Sequence, residues 1–291
     1  MAKFDFISQR GDALSLSANP DFILTHIDGQ TSATASVSSN VIGGVDGDTV
    51  NNMQADFRPL IFDLTFRDGV DVEEVKRRIL RVIKLKQNGT VRWEQNNRTV
   101  EITGKVERIE MPRWAQGIVM QVEMHCEQPF WEDIVSIVEQ ISEAISLHYF
   151  TDEPTEMLYF TDEGIVIGEY DTTRSKTFFN GGDVSVGLDI EILALSAVTN
   201  PIIYDADGNF FGVGYGTTDK KVTMQSGDKI VITTHRGKKS VTLNGVSIFN
   251  KIKPNSTWLQ LATGDNRFAI NSDDTALDNM AFSLIYKQRY I

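Results

Sequence analysis

Turn signals interrupt this chain at short intervals along nearly its whole length. Asp28-Gly29, Gly43-Gly44 and Asp46-Gly47 divide the first 55 residues into short apolar pieces around the small-residue run TSATASVSSN. From about residue 165 onward the pieces FFNGGDV, AVTNPII, YDADGNFF, MQSGDKIVITTHRGKKSVTLNGV, LATGDNRFAI and FSLIYKQRYI follow one another in the same way. Short alternating runs bounded by Gly, Asn, Asp and Ser read as strands, and their regular spacing over the second half predicts an all-β sandwich. Within LIFDLTFRDG, Phe62, Leu64 and Phe66 fall on one face and Asp63, Thr65 and Arg67 on the other, the pattern of a half-buried strand. Hairpins are expected at Asn96-Asn97 and Arg236-Gly237.

One segment breaks this pattern. In DVEEVKRRILRVIKLKQNG the apolar residues Val72, Val75, Ile79, Val82 and Ile83 recur at helical spacing, with Asp71 and Glu74 as the N-terminal cap and Asn88-Gly89 as the stop. The bases Lys76, Arg77, Arg78 and Arg81 read either as a solvated face or as a charged contact with a neighbouring subunit. A second helix is expected after Pro129, where Ile134, Val138, Ile141 and Ile145 share helical spacing. The motif YFTDE then occurs twice, at Tyr149 and at Tyr159, ten residues apart and too close for a solenoid repeat. The interdomain connection is placed here.

With 291 residues, two domains of ordinary size are expected. A single cysteine leaves no disulfide framework and no multi-cysteine zinc site. The N-terminal residues lack the apolar core of a signal peptide, and no run of about 18 apolar residues suggests a membrane span. The formal net charge is −12, shared by both halves, with 15 basic and 20 acidic residues up to position 133 and 13 and 20 beyond it. Neither half offers the clustered positive face of a nucleic-acid reader, so no direct nucleic-acid recognition is expected.

The most chemical-looking stretch is MHCEQPFWED, which joins the lone thiol to an imidazole and several acids. Alternation in GIVMQVEMHCEQ places Ile118, Met120, Val122, Met124 and Cys126 on the apolar face and Gln121, Glu123, His125 and Glu127 on the polar one. Thiol and imidazole therefore point to opposite sides, and a buried cysteine is a poor nucleophile. His125, Glu123 and Glu127 share a face, but successive same-face residues lie roughly 7 Å apart and do not converge on an ion unaided. GVGYG at Gly212 to Gly216 lies among strands with no helix to follow, which favours close backbone approach over a phosphate loop. DADGN at Asp205 opens like a calcium loop but has Gly208 at the fourth position and Gly216 at the twelfth, so it reads as a hairpin turn. The histidines at 26, 125, 148 and 235 match no nucleophile motif. No residue is assigned a catalytic, cofactor-binding or metal role, and no cofactor is expected.

In order and spacing, these pieces resemble the distal tail proteins of long-tailed bacteriophages and related prophages, the siphovirus tail component family. The first half contributes ILTHIDG, GGVDGD, Arg58-Pro59 before a strand, the helix from Asp71, and a strand running into Cys126, Pro129, Phe130 and Trp131. The second half contributes NGGD, TNPII, SGDKIVITT with VTLNG, LATGDN and the ending IYKQRY. The resemblance implies a mainly β chain: an N-terminal β-barrel- or sandwich-like ring domain with one helix over 1–133, a connector over 134–163, and a galectin-like β-sandwich over 164–291. The final strand, at Phe282, either completes the sandwich or returns to the N-terminal domain.

The function implied is that of a non-enzymatic, structural virion protein at the phage tail tip, made in the host bacterial cytoplasm. It would form a homo-hexameric ring, the hub that links the tail tube to the host-adsorption apparatus. Its partners would be the tail-tube protein, the tail-tip or tail-associated protein, the tape-measure protein and receptor-binding proteins. A ring uses one heterologous contact repeated by rotation, which also occupies strand edges. The alternative is a carbohydrate-binding module for host cell-wall glycans, using exposed aromatics such as Trp258 and Tyr215 of the sandwich.

Overall fold

A computed structural model describes residues 2–31, 33–41, 46–111, 113–114, 117–140, 144–146, 168–170, 175–216, 219–273 and 280–291. The turn expected at Gly43-Gly44 and the doubled YFTDE lie outside these residues. The chain divides into two units, one formed by 1–134 with 289–291 and the other by 135–288.

The first unit contains β1 (Lys3–Ser8), β2 (Ala13–Ser15), β3 (Phe22–Asp28), β4 (Ala35–Val41), β5 (Asp48–Ala55), β6 (Arg58–Phe66), α1 (Val72–Val82), β7 (Asn88–Gln95), β8 (Arg98–Glu110), β9 (Arg113–Trp114), β10 (Gly117–Cys126) and β11 (Trp131–Asp133). Its main sheet runs in the order β2-β1-β7-β8-β10-β6-β3, every pairing antiparallel. The alternation read in β6 is realised residue by residue, with Leu60, Phe62, Leu64 and Phe66 buried and their neighbours partly exposed. Burying each such side chain is worth about 1.5–3 kcal/mol, which fixes the face this strand presents. At Asn96 and Asn97 the φ angles are 51° and 64°, and Gln95 pairs with Arg98, so β7 and β8 close through a two-residue turn.

α1 begins where the sequence puts it. Asp71 accepts hydrogen bonds from the backbone N–H groups of Glu73 and Glu74 at 3.0 and 3.2 Å, and Val75 and Ile79 enter the core with Ile83 just past the end. The stop differs from expectation. The helix ends at Val82, before Asn88, because Lys86 donates its N–H to Val106 O at 2.8 Å and Val106 donates to Gln87 O at 3.0 Å, drawing the chain onto β8.

The second unit contains β12 (Ile137–Gln140), β13 (Ala144–Ser146), β14 (Gly168–Tyr170), β15 (Ser175–Asn180), β16 (Asp189–Ala194), β17 (Val198–Thr199), β18 (Ile202–Tyr204), β19 (Phe210–Gly212), β20 (Thr223–Met224), β21 (Lys229–Thr233), β22 (Ser240–Leu243), β23 (Val246–Ser247), a 3₁₀ turn at Phe249–Lys251, β24 (Gly264–Asn271) and β25 (Met280–Tyr286). A six-stranded sheet, β12-β25-β16-β21-β22-β23, and a four-stranded sheet, β15-β24-β18-β19, share one core that includes Phe178, Ile190, Phe211, Ile232, Phe268 and Phe282. This is the expected sandwich. Among the described residues no sheet closes into a barrel, and α1 is the one α-helix.

The helix expected from the spacing of Ile134, Val138, Ile141 and Ile145 is corrected: Ile137–Gln140 is a strand paired with β25. Runs rich in Ile and Val lose side-chain freedom in a helix and fit a pleated sheet, and a vacant edge beside Met280–Tyr286 supplies the partner. Ile137 packs on the core and Glu139 accepts a hydrogen bond from the Tyr286 hydroxyl at 2.9 Å, while Val138 points outward. After β25 the chain re-enters the first unit, where the last strand, β26 (Arg289–Tyr290), pairs with β11.

Candidate assembly interface

Every residue of β4 and β5 is exposed, and the two strands pair only with each other. They leave the body as an arm between β3 and β6, which are themselves paired from Phe22↔Phe66 to Asp28↔Ile61. At the arm's base the chain makes a close approach: Gly29 has φ +80°, and a Cβ there would lie 2.0 Å from the carbonyl oxygen of Pro59.

The register of the arm sorts its side chains. Val37 faces Met53 and Ala35 faces Ala55, whereas Ser36 faces Gln54 and Ser38 faces Asn52. Between Ser38 and Ser39 the register shifts, so that Ser39 faces Val50 and Asn51 is the extra residue of a β-bulge. The bulge resets the alternation and turns Val50 to the same side as Met53, although three positions separate them. One face therefore carries Ala35, Val37, Val41, Val50, Met53 and Ala55, with Ser39 and Asp48 among them. The other carries only Ser36, Ser38, Asn40, Thr49, Asn52 and Gln54. Val41 is 80% and Met53 67% exposed. A lone two-stranded hairpin is marginal in water, and one with an uncovered apolar face is a surface made for contact.

Two of the helical bases have partners within the unit: Lys76 with Glu73 at 3.5 Å and Arg78 with Asp21 at 2.8 Å. Arg77 and Arg81 form no ion pair among the described residues. Asp46, Asp48 and Asp56 lie at the tip and base of the arm.

The residues weighed for chemistry fall as the alternation predicts. Cys126 is fully buried, and burial pushes its thiol up to about 12, so it is no nucleophile at neutral pH. His125 lies on the opposite face, stacked on Phe57 with ring centroids 4.1 Å apart and its Nδ1 3.8 Å from Glu107. The acids flanking it are held by cations: Arg108 reaches Glu123 at 2.7 Å and Lys105 reaches Glu127 at 2.5 Å. Among the described residues no group of three or more His, Cys, Asp or Glu is placed to hold a metal ion.

Asp205 caps its own turn, accepting from the N–H groups of Asp207 and Asn209 at 3.0 and 2.8 Å. Gly214 is a close approach, since a Cβ there would sit 2.2 Å from Asn200 Oδ1. Trp258 and Tyr215 are not the exposed aromatics expected. Both are half-buried, and Trp258 packs between Phe211 and Phe249 at 4.8 and 5.9 Å. The arm's apolar face follows no fixed period in the sequence, because the bulge shifts the alternation.

Residues 181–290 match the family described as siphovirus-type tail component, C-terminal domain. Among solved structures, the chain is similar to the Dit protein of phage SPP1, with a TM-score of 0.65, 14% identity and 99% of each chain covered. It also aligns with a chain of the phage P2 baseplate, with a TM-score of 0.48, 11% identity, and 99% of this chain and 98% of that one covered. A comparison with proteins of curated function gives no match. The resemblance to bacteriophage distal tail proteins is thus borne out by the family match over the second unit and by a shared fold over the whole chain.

Proposed function

We propose that this chain is a structural, non-enzymatic component of a phage tail tip, and that its first unit assembles into a six-membered ring joining the tail tube to the adsorption apparatus. The observation that carries the reading is the arm: an amphipathic hairpin whose apolar face nothing among the described residues covers. A second copy of the chain is the occupant that fits. The arm's aspartates complement Arg77 and Arg81 on α1 of a neighbour, and one such head-to-tail contact repeated by rotation closes a ring. SPP1 Dit, the protein of similar fold, is described as a paradigm of the hub adsorption apparatus in phages that infect Gram-positive bacteria, which supports the same role here.

In this reading residues 1–133 supply the ring, and the sandwich is a separate domain over 164–291. Tail-tube, tail-tip, tape-measure and receptor-binding proteins are the partners. Native mass spectrometry of the full chain, alone and with its tail-tube protein, tests the reading: a mass of six copies is expected. A strict monomer under both conditions overturns it.

A further inference from the structure

In a chain of net charge −12, the basic residues of the second unit are concentrated in a few loops. Of the twelve lysines and arginines between positions 135 and 288, seven fall in three short loops: Lys220 and Lys221; Arg236, Lys238 and Lys239; Lys251 and Lys253. The only acid in those loops is Asp219. The fold brings part of this set together. Lys220 Nζ donates to the carbonyl of Asn250 at 3.1 Å, Gly214 N–H donates to Lys251 O at 2.8 Å, and Lys239 Nζ stands 5.2 Å from the ring centroid of Trp258. None of the seven lies within 4 Å of a carboxylate among the described residues, although Lys238 is near enough to Asp189 to help lower its pKa and Lys253 Nζ stands 5.9 Å from the Phe210 ring centroid.

Aromatic rings lie in the middle of this charge. Phe249 is 52% exposed and stacks on Trp258, with centroids 5.9 Å apart and planes 27° apart. Trp258 is anchored in turn by Phe211 from the core, at 4.8 Å. The outermost ring is thus backed by Trp258, and Lys220 is bonded to the backbone of its neighbour Asn250. Like charges drawn to one ring pair repel one another, and an exposed phenylalanine gains nothing from water; a ligand that is both anionic and able to lay an apolar face on a ring relieves both.

We infer that the loops around Phe249 and Trp258 bind an anionic glycan, a polymer whose sugar C–H faces stack on the Phe249–Trp258 pair while its phosphate or carboxylate groups meet the surrounding lysines. Single-stranded nucleic acid carries comparable charge, but its binders array several aromatic platforms along a groove, and here two stacked rings offer a single face. Lysine ammonium groups act as point charges that suit anions spaced along a chain. The site lies wholly within the second unit and stands apart from the ring proposal, which concerns the first.

The test is titration of the full chain with a glycosylated poly(glycerol phosphate) and, separately, with polygalacturonate, which distinguishes a phosphate from a carboxylate source. Dextran, inorganic polyphosphate and an oligo-dT strand serve as comparisons. Binding of at least one anionic glycan and not of dextran is expected. Lys221→Glu with Lys239→Glu should weaken it about tenfold or more and flatten the dependence of log K on log salt by roughly two charges, on the counterion-release logic of dense polyanions. Phe249→Ala should weaken glycan binding about tenfold while leaving any polyphosphate binding unchanged, with unaltered thermal melts confirming that the variants fold.

Absence of binding to both glycans, indifference to these substitutions, or equal binding of polyphosphate or oligo-dT overturns the inference. Oligomer mass recorded on the same samples keeps its failure separate from failure of the ring.

Discussion

The indole Nε1 of Trp131 and the guanidinium Nη1 of Arg58 donate to one acceptor, the carbonyl oxygen of Gln30, at 2.9 and 3.2 Å. Both side chains are buried to within 1% of full burial, but only the tryptophan is satisfied, since Nε and Nη2 of Arg58 have no partner. Desolvation lowers the Arg58 pKa from its ordinary value. The two residues should therefore respond oppositely. Trp131→Phe is expected to cost about 2 kcal/mol through the lost hydrogen bond and volume. Arg58→Met, which removes an uncompensated buried charge and keeps the volume, should be neutral or stabilising by about 1–2 kcal/mol. Urea midpoints at constant m-value decide it.

Cys126 makes a prediction about pH. Its thiol is raised from 9.0 to about 12 by burial, so the folded state holds the proton over a range in which the unfolded chain gives it up. The resulting stability is complete below pH 9 and is lost as pH rises toward 12, at about 1.4 kcal/mol per pH unit. The burial of Tyr290, also raised to about 12, acts in the same direction, so the difference between wild type and Cys126→Ala isolates the thiol. Chemical denaturation at pH 8, 9.5 and 10.5 should show the wild type falling more steeply than the variant. Parallel curves would count against the burial.

Gly29 and Gly47 have similar backbone angles, φ +80° and +99°, in different surroundings. A Cβ at Gly29 meets the Pro59 carbonyl oxygen, and a Cβ at Gly47 meets nothing within 4 Å. Gly47→Ala should cost about 1 kcal/mol, the backbone penalty alone. Gly29→Ala should cost about 3 kcal/mol because β6 must shift as well. Thermal melts of the two variants measure the close approach by difference.

The two faces of the arm predict different outcomes from one kind of substitution. Met53→Lys charges the apolar face and should weaken ring formation at least about tenfold; Asn52→Lys, its neighbour on the polar face, should leave assembly unchanged. Because both positions are exposed, neither should alter monomer stability by more than about 0.5 kcal/mol. Concentration-dependent mass measurements read the first effect and denaturant midpoints the second. Equal effects of the two lysines on assembly would show that the apolar face is not the contact.

Much of this was legible residue by residue. The burial of Phe62, Leu64 and Phe66, the cap at Asp71, the turn at Asn96-Asn97 and the separation of Cys126 from His125 each follow from local rules, because a strand alternates and a helix end needs an acceptor. The spacing of Ile134, Val138, Ile141 and Ile145 suits a helix, yet Ile137–Gln140 is a strand, because short runs of Ile and Val satisfy helical spacing as readily as a strand. The vacant edge beside Met280–Tyr286, more than 130 residues away, chose between them.

By itself, then, the sequence determined the strand-rich class, the helix from Asp71, the fate of its only thiol and, through motif order, a resemblance to phage tail components. Tertiary structure decided three things that depend on residues far apart or out of period. It turned Val37, Val41, Val50 and Met53 to one face through the extra residue at Asn51. It set Lys220 and Lys239, from separate loops, beside the Phe249–Trp258 pair. It left Arg58 buried and half-satisfied beside Trp131. Local patterns record which way a side chain points along its own element. What that side chain meets is set by cross-strand register and by loops brought together only when the chain closes on itself.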